Sequence, residues 1–136
     1  MTPSTSSRPK CTKPHLSGWI GVVLSAENAQ ELAHFYRDML GWPLHDDEPD
    51  WCTMQIPGAA ANLAFQSEPN YQRPAWPATG TQQQMMLHLD IGATCLSKAV
   101  GSAEKLGATL AESQPQSDVR VMFDPAGHPF CLYEDA

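Results

Sequence analysis

Residues 18–41 read GWIGVVLSAENAQELAHFYRDMLG, which joins an apolar strand-like run to a helix-like run ending in Leu-Gly. The β-branched residues of the first part predict a strand over 19–24. Asn28 can cap the helix that follows, since Glu31 stands three residues later in a capping-box pattern. Apolar residues recur at helical spacing from Leu32 to Leu40, and Gly41 ends the helix because glycine readily adopts the left-handed conformation.

The same order of elements returns in residues 85–107, MMLHLDIGATCLSKAVGSAEKLG. An alternating run predicts a strand over 85–91, and a second helix is expected to end at Gly107. The two helix ends, Gly41 and Gly107, are 66 residues apart. A chain made of two copies of one small unit buries both copies against a shared interior, so we expect a ligand cavity at the seam between them.

Each helix is followed by short strands joined by turns. The predicted strands are 51–56, 62–66, 119–123 and 130–133. The last two are joined across Asp124-Pro125-Ala126-Gly127, with Pro and Gly at favourable turn positions. We expect the acidic run 45–50 to be a loop. Two copies of this order predict an α+β fold.

The chain divides into a tail, two modules and a linker. Residues 1–17 are rich in Ser, Thr, Pro and Lys without an apolar stretch, which predicts a disordered tail rather than a signal peptide. Residues 18–136 are predicted to form one domain, with a first module at about 18–67 and a second at about 82–136. The linker, about 68–81, contains three prolines and no periodicity.

Composition excludes several classes of partner. The formal charge is −7, with 8 Lys plus Arg against 15 Asp plus Glu, which argues against nucleic-acid binding. No apolar run approaches the ~20 residues that cross a bilayer, so no membrane partner is expected. The four cysteines show neither a C-x-x-C pair nor zinc-finger spacing, so we interpret them as reduced thiols of a cytoplasmic protein.

Three motifs, in this order, resemble the vicinal oxygen chelate superfamily and within it the glyoxalase and bleomycin-resistance-like proteins. They are AHFYRDMLGW at 33–42, His88-Leu89-Asp90, and DPAGHPF at 124–130. The resemblance implies two tandem βαβββ modules that form a curled mixed sheet around a cleft, commonly within a homodimer. It does not imply one reaction, because the superfamily includes metal-dependent isomerases, epimerases, dioxygenases and thiol transferases as well as metal-free proteins that sequester a drug.

The resemblance also implies four strand positions that hold a divalent metal in the family's enzymes. In chain order these positions fall on Gly21 or Val22, Gln66, His88 and Cys131. Metal-dependent relatives usually carry Glu at the last position, and Glu134 is expected on the opposite face because strand side chains alternate. One imidazole, one amide and one thiol provide little charge for Mg²⁺, Mn²⁺ or Fe²⁺, so we expect neither a metal nor another cofactor.

Five residues are predicted to line a ligand-binding cleft: Trp51, Gln66, His88, Cys131 and Tyr133. His88 either contacts a ligand or is a polar group satisfied within the cleft, and its titration range keeps acid–base chemistry open. Cys131 is expected to be an inert thiol rather than a nucleophile, because no activating base is evident. His128 is expected to be a turn residue. No catalytic residue is assigned.

These observations favour a small-molecule-binding protein of the glyoxalase and bleomycin-resistance type that works without a metal. One alternative is a metal-dependent lyase, isomerase or dioxygenase of the same superfamily that uses His88. Another is a dimerisation module whose cleft is filled by its own side chains. We expect a homodimer, because the resemblance implies one and short modules with open sheet edges gain by pairing.

Overall fold

The computed structural model describes residues 15–135, so positions 1–14 of the predicted tail lie outside the described residues. The first module contains β1 (Ile20–Ala26), α1 (Ala29–Leu40), β2 (Asp46–Glu48), β3 (Trp51–Gln55) and β4 (Ala61–Ser67). The second module repeats this order with β5 (Leu89–Ala93), α2 (Leu96–Lys105), β6 (Thr109–Leu110), β7 (Val119–Phe123) and β8 (Pro129–Glu134). The prediction of two tandem βαβββ modules is therefore confirmed.

Two local predictions are corrected, and one helix end is confirmed. The strand predicted over 85–91 begins only at Leu89, because its partner β8 begins at Pro129, which has no N–H to extend the ladder. The acidic run 45–50 is not all loop, since Asp46–Glu48 forms the edge strand β2 beside β3. Helix α2 ends at Lys105 with Leu106 as its C-cap, and Gly107 follows at φ 117°, so the helix stops at this glycine as predicted.

Each module folds its strands into a separate four-stranded sheet. The strand orders are β1-β4-β3-β2 and β5-β8-β7-β6, with the first pair of each sheet parallel and the others antiparallel. Strand pairing does not join the two sheets within residues 15–135. The expected curled sheet around a cleft is thus present as two open halves, with β1 and β5 at their edges.

The two sheets share one register. Ala26 pairs with Ser67 at the end of β1, and Ala93 pairs with Glu134 at the end of β5. Both members of the second pair lie 67 residues after those of the first (93 − 26 and 134 − 67). Positions on β1 and β4 therefore have counterparts on β5 and β8, or in the residues just before those strands.

A single hydrophobic core joins the two modules through helix α1. The ring of Tyr36 is fully buried and stacks on Phe65 of β4, with centroids 5.7 Å apart. It also packs edge-on against Phe130 of β8 at 6.1 Å. The Tyr36 hydroxyl donates a 2.7 Å hydrogen bond to Asp124, in the turn before β8. The inner faces of both sheets thus pack on the same core.

The outer faces, opposite this core, carry the polar side chains. On β5, Leu89 and Ile91 pack against the core, so Asp90 between them points to the outer face. On β8, Phe130 and Leu132 are buried in the same core, which leaves Cys131 and Tyr133 on the outer face. Function is therefore to be sought on faces that point away from the core.

Candidate functional site

Three chemically reactive side chains meet on the outer face of the second sheet. Asp90 of β5 pairs with Cys131 of β8 in the parallel ladder. His88 lies two residues before Asp90, and its Nε2 is 3.0 Å from the Asp90 Oδ1. One donor atom from each of the three residues lies within 4.8 Å of the other two. The His88 and Asp90 side chains are 37% and 52% exposed, so solvent and ligands can reach this group.

The carboxylate of Asp90 governs the electrostatics of this group. Burial raises the pKa of the Cys131 thiol, and both the charge of Asp90 and a hydrogen bond to it raise that pKa further. The charge of Asp90 also raises the pKa of the Tyr133 phenol. Without a bound cation, these surroundings disfavour the Cys131 thiolate, which is the opposite of what activates a nucleophile.

A second group lies on the outer face of the first sheet. Trp51 of β3 stands directly opposite Gln66 of β4. The Gln66 side-chain amide donates a 3.0 Å hydrogen bond to the Ser25 hydroxyl on β1. Trp51 is 41% exposed. An aromatic surface beside a partly buried amide suits a planar polar ligand more than a metal ion.

The first sheet carries a further aromatic residue that the sequence analysis did not assign to the site. A Cβ placed on Gly21 would lie 2.8 Å from the indole of Trp19, so the ring covers this strand position and would have to shift to admit a larger residue. Trp19 is 57% exposed. A glycine inside a strand pattern often marks such a close approach, and that signal was available in the sequence.

The five predicted site residues are divided between the two sheets. Trp51 and Gln66 belong to the first sheet, whereas His88, Cys131 and Tyr133 belong to the second. Because both inner faces share one core, these two groups point away from it on separate outer faces. The described chain therefore brings together the members of each group but does not unite the groups in one cleft.

A surface cavity of about 360 Å³ lies beside β1. Its lining includes Val23 and Ser25 from β1, Met86 and Leu87 from the segment before β5, and His128. Its size is within the range of small-ligand pockets. None of the five predicted residues lines this cavity, so it adds a third candidate surface, at the open edge of the first sheet.

His128 lies at the turn before β8, as expected, and its side chain also makes long-range contacts. Its Nε2 lies 2.6 Å from the Ser25 backbone carbonyl and 3.2 Å from the Tyr71 hydroxyl. Its backbone N–H donates to Asp124, whose pKa is raised by burial. His128 thereby links the turn before β8 to β1 across the two modules. Its spacing in the turn motif gave no sign of this long-range contact.

The four positions implied by the resemblance do not fit a metal centre. Val22 packs toward the core, which leaves Gly21, without a donor, on the outer face. The amide of Gln66 already donates to Ser25, on a different sheet from His88. Glu134 lies on the inner side as strand alternation predicts, where its Oε1 accepts from the Leu96 N–H. This donor set lacks the carboxylate that a hard divalent metal requires.

The sequence model of the glyoxalase-like domain family matches residues 21–133, and the chain belongs to this family. A possible glyoxalase from Bacillus cereus has a TM-score of 0.64 at 11% identity, covering 87% of this chain and 99% of that one. A glyoxalase/bleomycin resistance protein/dioxygenase family enzyme from Burkholderia phytofirmans PsJN gives 0.63 at 17% identity, with coverages of 82% and 94%.

An antibiotic-binding protein from Streptomyces sp. CB03234 has a TM-score of 0.58 at 16% identity, covering 89% of this chain and 98% of that one. At these identities the structures establish the shared fold, and family membership supports small-molecule binding at the family level. No curated protein matches the chain significantly in sequence. Neither helix of the described chain is long and apolar enough to cross a membrane.

Proposed function

We propose that this chain is a small-molecule-binding protein of the glyoxalase and bleomycin-resistance type, without the four-residue metal centre of the family's enzymes. The observation that carries the proposal is the pairing of exposed aromatic rings with polar groups on both outer faces. Trp51 lies beside Gln66 on one sheet, and Tyr133 follows Cys131 beside Asp90 on the other. The antibiotic-binding protein from Streptomyces sp. CB03234 supports this proposal, because it has the same fold and binds a small molecule.

The proposal includes a homodimer in which outer faces of two copies complete the cleft. Strands β1 and β5 are sheet edges with free hydrogen-bonding groups, which favours pairing with another chain. Ile20 on β1 is 67% exposed, and Leu87 just before β5 is 52% exposed. Edge pairing between copies would bury these side chains.

Light scattering tests the dimer directly. We expect twice the chain mass of 14.9 kDa at micromolar concentration. Replacing Ile20 by Lys places a charge on the proposed interface and should shift the protein toward the monomer. Leu106→Lys, at the partly exposed end of α2, is the matched control and should remain dimeric. A wild-type mass of one chain would contradict this part of the proposal.

Calorimetric titration tests the ligand site, using bleomycin and a panel of other antibiotics as probes. For any probe that binds, His88→Ala should weaken binding several-fold, because a typical hydrogen bond contributes about 0.5–1.5 kcal/mol. His45→Ala, at an exposed position before β2, should leave the affinity unchanged. Equal affinities for wild type and His88→Ala would remove His88 from the site.

A metal-dependent lyase, isomerase or dioxygenase is the second candidate, and the cluster of His88, Asp90 and Cys131 is the one observation that favours it. A cytoplasmic location remains part of the proposal. It is supported by the free thiols of Cys52, Cys95 and Cys131, since such thiols are typical of a reducing compartment.

A further inference from the structure

We infer that His88, Asp90 and Cys131 form a binding site for a zinc-class divalent cation that lies entirely within the second module. This goes beyond the proposed ligand binding and differs from the metal centre that the resemblance implies. His88 and Cys131 are also family positions, but the family set draws on both modules. The three donors here come from β8, from β5 and from the residue just before β5. The inference departs from the sequence-based expectation that no metal binds.

The geometry of the three donors suits a tetrahedral ion. Zinc binds imidazole nitrogen and carboxylate oxygen at about 2.0–2.2 Å and thiolate sulfur at about 2.3 Å, which separates tetrahedral donor atoms by about 3.3–3.6 Å. The donor atoms of His88, Asp90 and Cys131 lie within 4.8 Å of one another, and the His88–Asp90 pair is at 3.0 Å. Small side-chain rotations would therefore bring all three to one ion.

The donor chemistry selects the class of ion. A thiolate and an imidazole suit zinc and similar borderline metals, whereas Mg²⁺ and Ca²⁺ require oxygen ligands throughout. Asp90 together with the Cys131 thiolate would neutralise a divalent charge, which the family positions of this chain cannot do. Binding releases the Cys131 proton to solvent, because the thiolate is the ligand.

The surroundings leave one coordination position open. His88 and Asp90 are partly exposed, and Cys131 is partly buried between them and the sheet. Three protein ligands with a free fourth position are typical of zinc sites that bind water or a substrate donor. Pairing of Asp90 with Cys131 in the β5–β8 ladder holds two of the ligands on a rigid element, which limits the entropic cost of binding.

The first sheet provides an internal comparison. The counterparts of His88, Asp90 and Cys131 at the 67-residue offset are Gly21, Val23 and Ala64, none of which has a metal-binding side chain. The fold therefore does not require donors at these positions. Within residues 15–135, this is the one group of three or more His, Cys, Asp or Glu side chains whose donor atoms all lie within 4.8 Å of one another.

Titration of the chelator-treated full-length chain with Co²⁺ tests the inference, because a cobalt–thiolate bond absorbs in the near ultraviolet. We expect one cobalt per chain, this charge-transfer band, and displacement of cobalt by Zn²⁺. Cys131→Ser should abolish the band, and Asp90→Asn should weaken cobalt binding at least about tenfold, since even outer partners of metal ligands contribute 10–100-fold. Thermal unfolding of each variant without metal checks that its fold is retained.

The double variant Cys11→Ser/Cys95→Ser is the matched control and should keep both the band and the affinity. Absence of the band in the wild type, its survival in Cys131→Ser, or equal cobalt affinities for wild type and Asp90→Asn would each overturn the inference. The titration uses the ion alone, so a negative result leaves the ligand-binding proposal unaffected. Loss of antibiotic binding would likewise leave the cobalt result unchanged.

Discussion

The two outer faces of this protein share one backbone register but carry different chemistry. On the first sheet four outer-face positions of β1 and β4 hold Gly21, Val23, Ala64 and Gln66. Their counterparts in the second module are His88, just before β5, with Asp90, Cys131 and Tyr133 in the sheet. The repeated fold thus provides equivalent positions, and side-chain identity alone makes one face an aromatic and amide surface and the other an ionisable one.

The helices of the two modules also occupy equivalent places but differ in burial and in capping. Five residues of α1 are buried, whereas Ala103 alone is buried in α2. The Asn28 side chain accepts from the Glu31 N–H at the start of α1, while Cys95 at the equivalent place provides no side-chain cap. Helix α1 therefore organises the shared core, and the second module depends more on its sheet.

Disrupting the core that the two modules share should cause the largest loss of stability. The Phe130 ring of β8 packs on Phe35 and Tyr36 of α1. Because Phe130→Ala removes this ring, we expect a loss of about 3–5 kcal/mol in the free energy of unfolding. Tyr133→Ala, on the outer face of the same strand, should cost about 0.5 kcal/mol or less. Urea denaturation measures both, and two separate transitions in the wild type would contradict a common core.

Exchanging the helix caps sharpens the comparison between the modules. Asn28→Ala should destabilise the protein by about 1 kcal/mol, because the Glu31 N–H loses its acceptor. Cys95→Ala should have little effect, and Cys95→Asn should stabilise the protein by a fraction of that amount. The same urea measurements test these variants. Equal losses from Asn28→Ala and Cys95→Ala would show that the caps are equivalent after all.

The smallest expected effect concerns the ionisable face. Asp90→Asn removes a negative charge that raises the pKa of Cys131, so a larger fraction of Cys131 is thiolate at mildly alkaline pH. Alkylation of Cys131 by iodoacetamide should therefore be faster in this variant, as followed by peptide mass spectrometry. Cys95, which is exposed and lies on the other side of the module, is the internal reference. An unchanged ratio of the two rates would argue against the Asp90–Cys131 contact.

Local patterns predicted most of the elements but missed the marginal ones. Both helices and the strands with clear apolar runs were found, because burial on one face leaves a periodic trace. The edge strands β2 and β6 were missed, since Asp46–Glu48 is acidic and Thr109–Leu110 is only two residues long. Their strand conformation comes from pairing with β3 and β7, which local propensity does not encode.

By itself, the sequence determined the repeat, the module order and the shared face of His88 and Asp90, because these depend on the spacing of neighbouring residues. Only the tertiary structure placed Cys131 opposite Asp90, brought His128 to the Ser25 carbonyl, and laid the Trp19 indole over Gly21. Those contacts depend on strand register and on how the two modules pack around Tyr36. Register and packing arise from interactions between distant segments, which no local pattern specifies.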